Sequence, residues 1–275
     1  MAGIVGAGHD AYVRILHPIP VERVDPERVD EDGFPVVLAE EEWTWARLAK
    51  EVGADMHPLV QWPSMVGDRD HFDLPTGARV SPPPDGGLAP RLLAALVTHG
   101  RDCTVTPDDV VAAFWNGWSL SDGAVRYSVD VNDDGDGDDD GDPDDDPFEA
   151  HLRAIDPTVR RAIRNGPFLS YPAGGFGVEY ALFQTSLDEL SDPAWVYRAG
   201  IGWADGWEGI LPQLIWPEDH TWVIASEIDF SFTIVGGTRA LVDAVLDDDR
   251  FEAYEVSAGD DLTRDGDTIN GTRRE

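Results

Sequence analysis

The sequence predicts an α+β fold: a mainly antiparallel sheet packed with several short helices and interrupted by one acidic disordered insertion. Three observations predict it. Residues 222–235 alternate with period two, the signature of half-buried strands. Capped apolar stretches such as Thr238 to Leu246 carry helical spacing. Strands and helices also follow one another without the regular rhythm of parallel βαβ units.

The elements follow in order. Gly6-Ala-Gly-His-Asp-Ala11 fits a dinucleotide fingerprint, but too few residues precede it for a strand. The next segment, Tyr12 to His17, is an alternating strand rather than a phosphate-binding helix. The glycines read as a flexible start. Val21 to Asp32 is charged and carries proline, so it reads as a loop. Phe34 to Ala39 is a short strand. Glu40 to Val52 reads as a helix with acids in its first turn, Lys50 in its last and Gly53 as its stop. Met56 to Trp62 is apolar and extended, and Gly77 to Gly87 is a proline-rich linker. A helix runs from Pro90 to Gly100. Thr106-Pro-Asp-Asp109 has the form of a helix start, with Val110, Val111, Phe114, Trp115 and Trp118 at helical spacing behind it. Arg126 to Val131 alternates like a strand. A helix restarts at Asp146-Pro-Phe-Glu149, and another runs from Asp156-Pro157 to Gly166-Pro167. Val178 to Gln184 is a strand and Ser186 to Leu190 a short helix.

From Trp222 to Val235 the alternation places Trp222, Ile224, Ile228, Phe230, Phe232 and Ile234 on one face. Glu227, Asp229 and Thr233 fall on the other. Gly236-Gly237 breaks the pattern, Thr238 caps a helix, and Phe251 to Val256 forms a last strand. The organisation expected is one domain over residues 1–259, with an acidic low-complexity loop at 132–146 inside it and a polar tail at 260–275.

Charge is the strongest compositional feature. The chain has 275 residues and a formal charge of −34. Twelve of its 54 acids lie between Asp130 and Glu149. The others still outnumber the 20 bases about two to one, so the folded part is acidic too. Such a surface repels phosphate backbones and disfavours direct nucleic-acid binding, so no nucleic-acid partner is expected and a basic protein partner is favoured. No apolar run approaches the roughly 18–20 residues of a membrane span. Met1 to Gly8 is too short and uncharged for a signal peptide. With Cys103 as its one cysteine, the chain can form no internal disulfide and no thiolate zinc site. A cytoplasmic protein is expected.

The candidate sites are two. Asp130-Val-Asn-Asp-Asp-Gly135 matches the opening of an EF-hand calcium loop, whose hard oxygens suit the ion. The twelfth position, which needs a bidentate glutamate, is Gly141. The loop therefore reads as an insertion capable of weak cation binding, with no metal site and no cofactor. The second candidate is the block containing Trp216, Glu218, Asp219 and His220, followed by Glu227 and Asp229. A histidine beside carboxylates suits acid–base work or ligand binding. Glu227 and Asp229 on one strand face would stand about 7 Å apart. No catalytic motif accompanies them: there is no P-loop, no nucleophile elbow and no H-E-x-x-H. Trp62, Trp118, Trp203, Trp207 and Trp216 flank Gly, Pro or acids and read as an exposed aromatic set on an interaction surface.

Several ordered blocks carry a resemblance. They are Tyr12-Val-Arg-Ile-Leu-His-Pro18, Trp45 through Gln61, Phe114-Trp-Asn-Gly-Trp118, Ile215 through Asp229 and Thr233-Ile-Val-Gly-Gly237. These resemble a group of cytoplasmic proteins of high-GC actinobacteria that has no assigned activity. The resemblance spans nearly the whole chain and implies a single domain. It implies nothing about a reaction. The function expected is a protein-interaction module, regulatory or toxin-neutralising, with a basic partner. The alternative is a small-molecule-binding protein or enzyme using Glu227, Asp229 and His220.

Overall fold

The computed structural model describes residues 5–30, 33, 35–69, 71–117, 154–171, 178–204 and 208–271. The acidic loop at 132–146, the strand expected at Arg126 to Val131 and the helix restart at Asp146 lie outside the described residues, as do Trp118 and Trp207.

The fold is α+β, with two antiparallel sheets. The strands are β1 (Ala11–Leu16), β2 (Ile19–Val29), β3 (Pro35–Trp43), β4 (Phe72–Asp73), β5 (Ala78–Val80), β6 (Val110–Trp115), β7 (Phe168–Tyr171), β8 (Val178–Thr185), β9 (Leu214–Pro217), β10 (Val223–Ala225), β11 (Phe232–Gly237) and β12 (Glu252–Val256). The helices are α1 (Trp45–Val52), α2 (Trp62–Val66), α3 (Pro90–Arg101), α4 (Pro157–Asn165), α5 (Leu187–Leu190) and α6 (Arg239–Leu246). Among the described residues eight strands form one sheet in the order β12-β1-β11-β10-β9-β6-β8-β7, and four form the other in the order β3-β2-β5-β4. Among the described residues no helix is long and apolar enough to cross a membrane.

The large sheet is the middle layer. On one face Val13, Ile15, Ala112, Phe114, Ile224 and Val235 pack against Leu92, Leu93 and Leu96 of α3, Leu187 of α5 and Leu241, Val242 and Val245 of α6. On the other, Tyr12, Leu16, Ala113, Tyr180, Leu214, Phe232 and Ile234 meet α1, α2 and the apolar side of the small sheet. Period-two alternation sorts each strand's residues between these two cores.

Three local readings change. Val110–Trp115 is a strand, not a helix, and pairs with β8 and β9. A strand buried on both faces reads as a continuous apolar run, and such a run also satisfies helical spacing. Its Val-Val and Phe-Trp pairs favour the pleat. Thr106 to Asp109 is a turn, closed by the Asp109 amide donating to the Thr106 carbonyl at 3.1 Å. Val21 to Asp32, expected as a loop, belongs largely to β2, whose outward charges hide the inward Ile19 and Val21. The helix expected from Glu40 begins only at Trp45, because Glu40, Glu41 and Glu42 sit in β3 and Thr44 is the cap. Its first turn gains its acid from far away. The Glu252 carboxylate on β12 accepts from the Trp45 and Ala46 amides at 2.5 and 2.7 Å.

The helices at Pro90, Pro157, Ser186 and Thr238 form as expected, each begun by a proline or a capping hydroxyl. Thr238 Oγ1 accepts from the Leu241 amide at 3.2 Å. Gly236 and Gly237 end β11 within the sheet, where a side chain at Gly236 would strike His9.

The segment read as a polar tail packs. Leu262 is buried, and the Asp267 side chain is fully enclosed. Asp267 accepts from His57 Nε2 and the amides of Gln61, Ile269 and Asn270, and from the Asn270 side chain. Burial works against its charge. The hydrogen bonds from Asn270 and Gln61, with His57, outweigh burial and hold its carboxyl below the usual range. It also supports the buried guanidinium of Arg14, which burial lowers to about 9. Arg14 lies over the Phe232 ring at 4.1 Å and donates to the Pro58 carbonyl at 2.9 Å.

Asp267→Ala should cost about 3 kcal/mol in urea unfolding at pH 7, since it strands a buried cation and several donors. Arg14→Met should cost clearly less, because it replaces a buried charge by an apolar chain of similar length. Asp267 has a depressed pKa, so its contribution is complete above the unfolded carboxyl pKa. The gap between wild type and Asp267→Ala should therefore narrow as pH falls below about 4.

Candidate functional site

The block from Trp216 to Asp229 divides between two ends of β10. Trp216 lies on β9 opposite Val111 of β6 and is half-buried. Glu218, Asp219 and His220 form the turn that leads from β9 towards β10. Glu227 and Asp229 lie beyond the far end of β10. His220 and the two acids therefore do not converge. Asp229 and His220 are both exposed.

Asp219 is committed to local structure. Its Oδ2 accepts from Thr104 Oγ1 and the Val105 amide, both at 2.7 Å. Its Oδ1 accepts from the Thr221 hydroxyl at 2.8 Å and the Thr221 amide at 3.2 Å. Burial opposes its charge, but these donors hold the carboxyl below its ordinary range. Asp219 thereby ties the β9–β10 turn to the loop before β6. His220 completes the turn, its amide donating to the Pro217 carbonyl at 2.9 Å with φ at 54°. Left-handed backbone of this kind is uncommon for a residue with a β-carbon, and here the turn imposes it.

At the other end the period-two pattern breaks. The Phe230 amide donates to the Glu227 carbonyl at 3.0 Å, so residues 227–230 form a turn rather than strand. That turn resets the register. Ile224 pairs with Val235 and Ala225 with Ile234, so the aliphatic residues of β10 and β11 are divided between both faces. The strand spacing expected between Glu227 and Asp229 does not apply.

Glu227 is the more unusual of these acids. It is half-buried, and burial pushes its carboxyl up, partly offset by a 3.3 Å hydrogen bond from the Tyr180 hydroxyl. Asp229 adds a further upward push. Asp85 faces the same turn. It keeps contact with solvent, yet crowding and then Asp229 raise its carboxyl as well. Gly86 holds the two segments together, its amide donating to the Phe230 carbonyl at 3.3 Å. Asp85 and Tyr180 carry no local sequence signal for this grouping, since strand order alone brings them together.

A shallow cleft of about 530 Å³ lies elsewhere, with Asp109, Gln184 and Glu218 around Val111, Leu182 and Phe183. Gln184 Nε2 donates to Asp109 Oδ1 at 3.0 Å. Of the predicted residues only Glu218 lines it. Among the described residues no group of three or more His, Cys, Asp or Glu side chains is placed to hold a metal ion.

The exposed aromatic set is also revised. Trp62 is buried, 6.0 Å from Trp45 between ring centroids, and Trp203 and Trp216 are half-buried. Trp43, Trp45, Trp195 and Trp222 are core residues as well. Proximity to glycine and proline marks tight packing around these rings. Gly100, for instance, sits against the Trp222 indole, whose Nε1 donates to its carbonyl at 3.0 Å.

Glu227 has a raised carboxyl, so its ionised form opposes folding. The stability kept by its neutral form is fully present below the unfolded pKa and is lost as pH rises through the folded one. Glu227→Gln should therefore raise stability at pH 7 by up to about 1 kcal/mol. The difference should vanish below about pH 4, as thermal melts across that range would report.

No family model matches the chain, and neither a curated relative nor a solved structure shows significant similarity to it.

Proposed function

We propose that this protein is an interaction module whose acidic surface binds a basic protein partner, in a regulatory or toxin-neutralising role. The observation that carries this reading is how the arginines are used. Arg23, Arg47, Arg79, Arg91, Arg101, Arg198, Arg239, Arg250 and Arg264 each reach a carboxylate. These exposed pairs add little stability. They do occupy the positive groups locally, so the charge of −34 is left without a compensating basic patch of their making. Such a field steers a cationic protein onto the surface and repels phosphate backbones. The loop at 132–146 extends that field and adds weak cation binding. A reducing cytoplasm suits the single cysteine.

A second reading places a small ligand at the turn around Glu227, Asp229 and Asp85, because raised carboxyls gather at functional sites. His220 takes no part in it.

Affinity capture from native lysate, on the immobilised full chain, separates the two. A basic protein should be retained at 50 mM salt and released at 300 mM. Once purified, it should bind at least tenfold more weakly at the higher salt. Failure to recover a basic partner at either salt overturns the interaction reading.

A further inference from the structure

The small sheet ends in an open edge. In the order β3-β2-β5-β4, β3 has a partner on one side only among the described residues. Strand β5 pairs with β2 from Val21 to Arg23, so beyond that point, among the described residues, β2 and β3 continue as a two-stranded ribbon. Residues 37–40 of β3 are all exposed, which puts both of its faces in solvent there. Val37 is 43% exposed and Leu38 60%, and Val29 across the ribbon is 65% exposed. A bare two-stranded ribbon is marginal in water, and an open edge offers unpaired amides and carbonyls.

The charges across this sheet say what would pair there. Cross-strand partners share a face, and one row runs Asp73, Arg79, Glu22, Glu40 through β4, β5, β2 and β3. Arg79 is held by Asp73 at 3.0 Å and feels Glu22 on its other side. Glu22 then stands opposite Glu40, a like-charge pair of the sort that destabilises a sheet. The row is thus negative, positive, negative, negative and then open. We propose that the edge of β3 around Val37 to Glu40 is the docking site for an extended basic segment of a partner protein. That segment adds as a fifth strand, with a lysine or arginine opposite Glu40 and apolar side chains against Val37 and Leu38.

The occupant follows from the edge itself. A cation opposite Glu40 completes the alternation and relieves the Glu22–Glu40 repulsion. A second copy of this chain would bring another acidic edge and another charge of −34. The edge is also selective. The register steps from Arg23–Ala39 to Val24–Val37, leaving Leu38 as a bulge, and Pro35 lacks an amide hydrogen. Bulge, proline and acids all discourage indiscriminate strand pairing. This proposal rests on the basic-partner reading and names its surface.

The test uses the full chain and a synthetic peptide of alternating lysine and valine. Binding is followed by calorimetry, and hydrogen exchange of the β3 amides by NMR. The peptide should slow exchange at alternate amides of Val37 to Glu42 at least tenfold. Methylating alternate peptide nitrogens should abolish this protection. Glu40→Lys should weaken binding at least tenfold, while Asp249→Lys, an equal charge change on the helical side, should alter it less than twofold. Glu40→Lys removes a repulsion, so it should fold. Equal weakening by both variants without protection of β3 would overturn strand addition and leave diffuse binding of basic partners intact. No binding of the peptide at 20 mM salt would overturn both readings. Dimerisation of the chain through β3, seen by sedimentation and abolished by Glu40→Lys, would make a second copy the occupant and also overturn the proposal.

Discussion

The constraint on which the rest of the structure depends is that the middle of the eight-stranded sheet, from β1 through β11, β10 and β9 to β6, is buried on both faces. A sheet with two apolar faces needs two covering layers. Helices α3 to α6 supply one, and the small sheet with α1 and α2 supplies the other. The chain must therefore leave β1 in the large sheet and enter β2 in the small one within two residues. His17 and Pro18 make that passage. The His17 amide donates to the Ser231 carbonyl at 3.0 Å, and its own carbonyl accepts from Trp45 Nε1 at 2.8 Å. Its ring spans the Pro84 carbonyl at 2.7 Å and Thr233 Oγ1 at 2.9 Å. A carbonyl can only accept, so Nδ1 carries the proton and Nε2 accepts from Thr233. Burial lowers this histidine to about 4, which keeps it neutral in that role. Thr233 in turn lies 2.6 Å from Ser226 Oγ. One buried chain of polar groups thus joins β1, β10 and β11 at the junction between layers.

The same double burial accounts for the ionic centre below it. Arg14 alternates with Tyr12 and Leu16, so it is forced into the core that faces the small sheet. A guanidinium there favours a nearby negative charge, and Asp267 of the closing segment supplies it through space, while Arg14 Nε and Nη2 make no hydrogen bond. Asp267 is polar because it sits beside a buried charge, whereas most of its neighbours in residues 260–271 do face water. Polarity in the sequence and exposure in the fold are different properties, and here they part company.

That distinction explains what was legible. Helix starts were readable at Pro90, Pro157, Ser186 and Thr238, because caps act within one turn and need no tertiary partner. Strands with one polar side, β8 and β12, were readable for the same reason. β6 was not, since burial on both faces erases its period. The faces of β10 and β11 were misread because the turn at 227–230 resets a parity that the amino-acid pattern carries straight through. At the candidate site, Glu227 meets Tyr180 of β8, and its turn is held by Gly86 of a proline-rich connection. No local spacing could announce either. The tryptophans misled because glycine and proline flank an exposed aromatic and a tightly packed one alike.

Electrostatics connects these layers to the functional proposal. Inside, the Asp267 charge acts on buried Arg14, and the first amides of α1 meet Glu252. Outside, arginines reach carboxylates, which outnumber the basic residues, and the surplus stays negative. The small sheet lies where these two regimes meet. Its inner face joins a core, and its outer row of Asp73, Arg79, Glu22 and Glu40 keeps alternation until the last strand. A protein that matches its charges within the fold, yet places two acids side by side next to an open strand, leaves a defect that folding alone does not relieve. An incoming cation on an extended chain would relieve it, so the proposed basic partner and the proposed strand addition rest on one electrostatic argument.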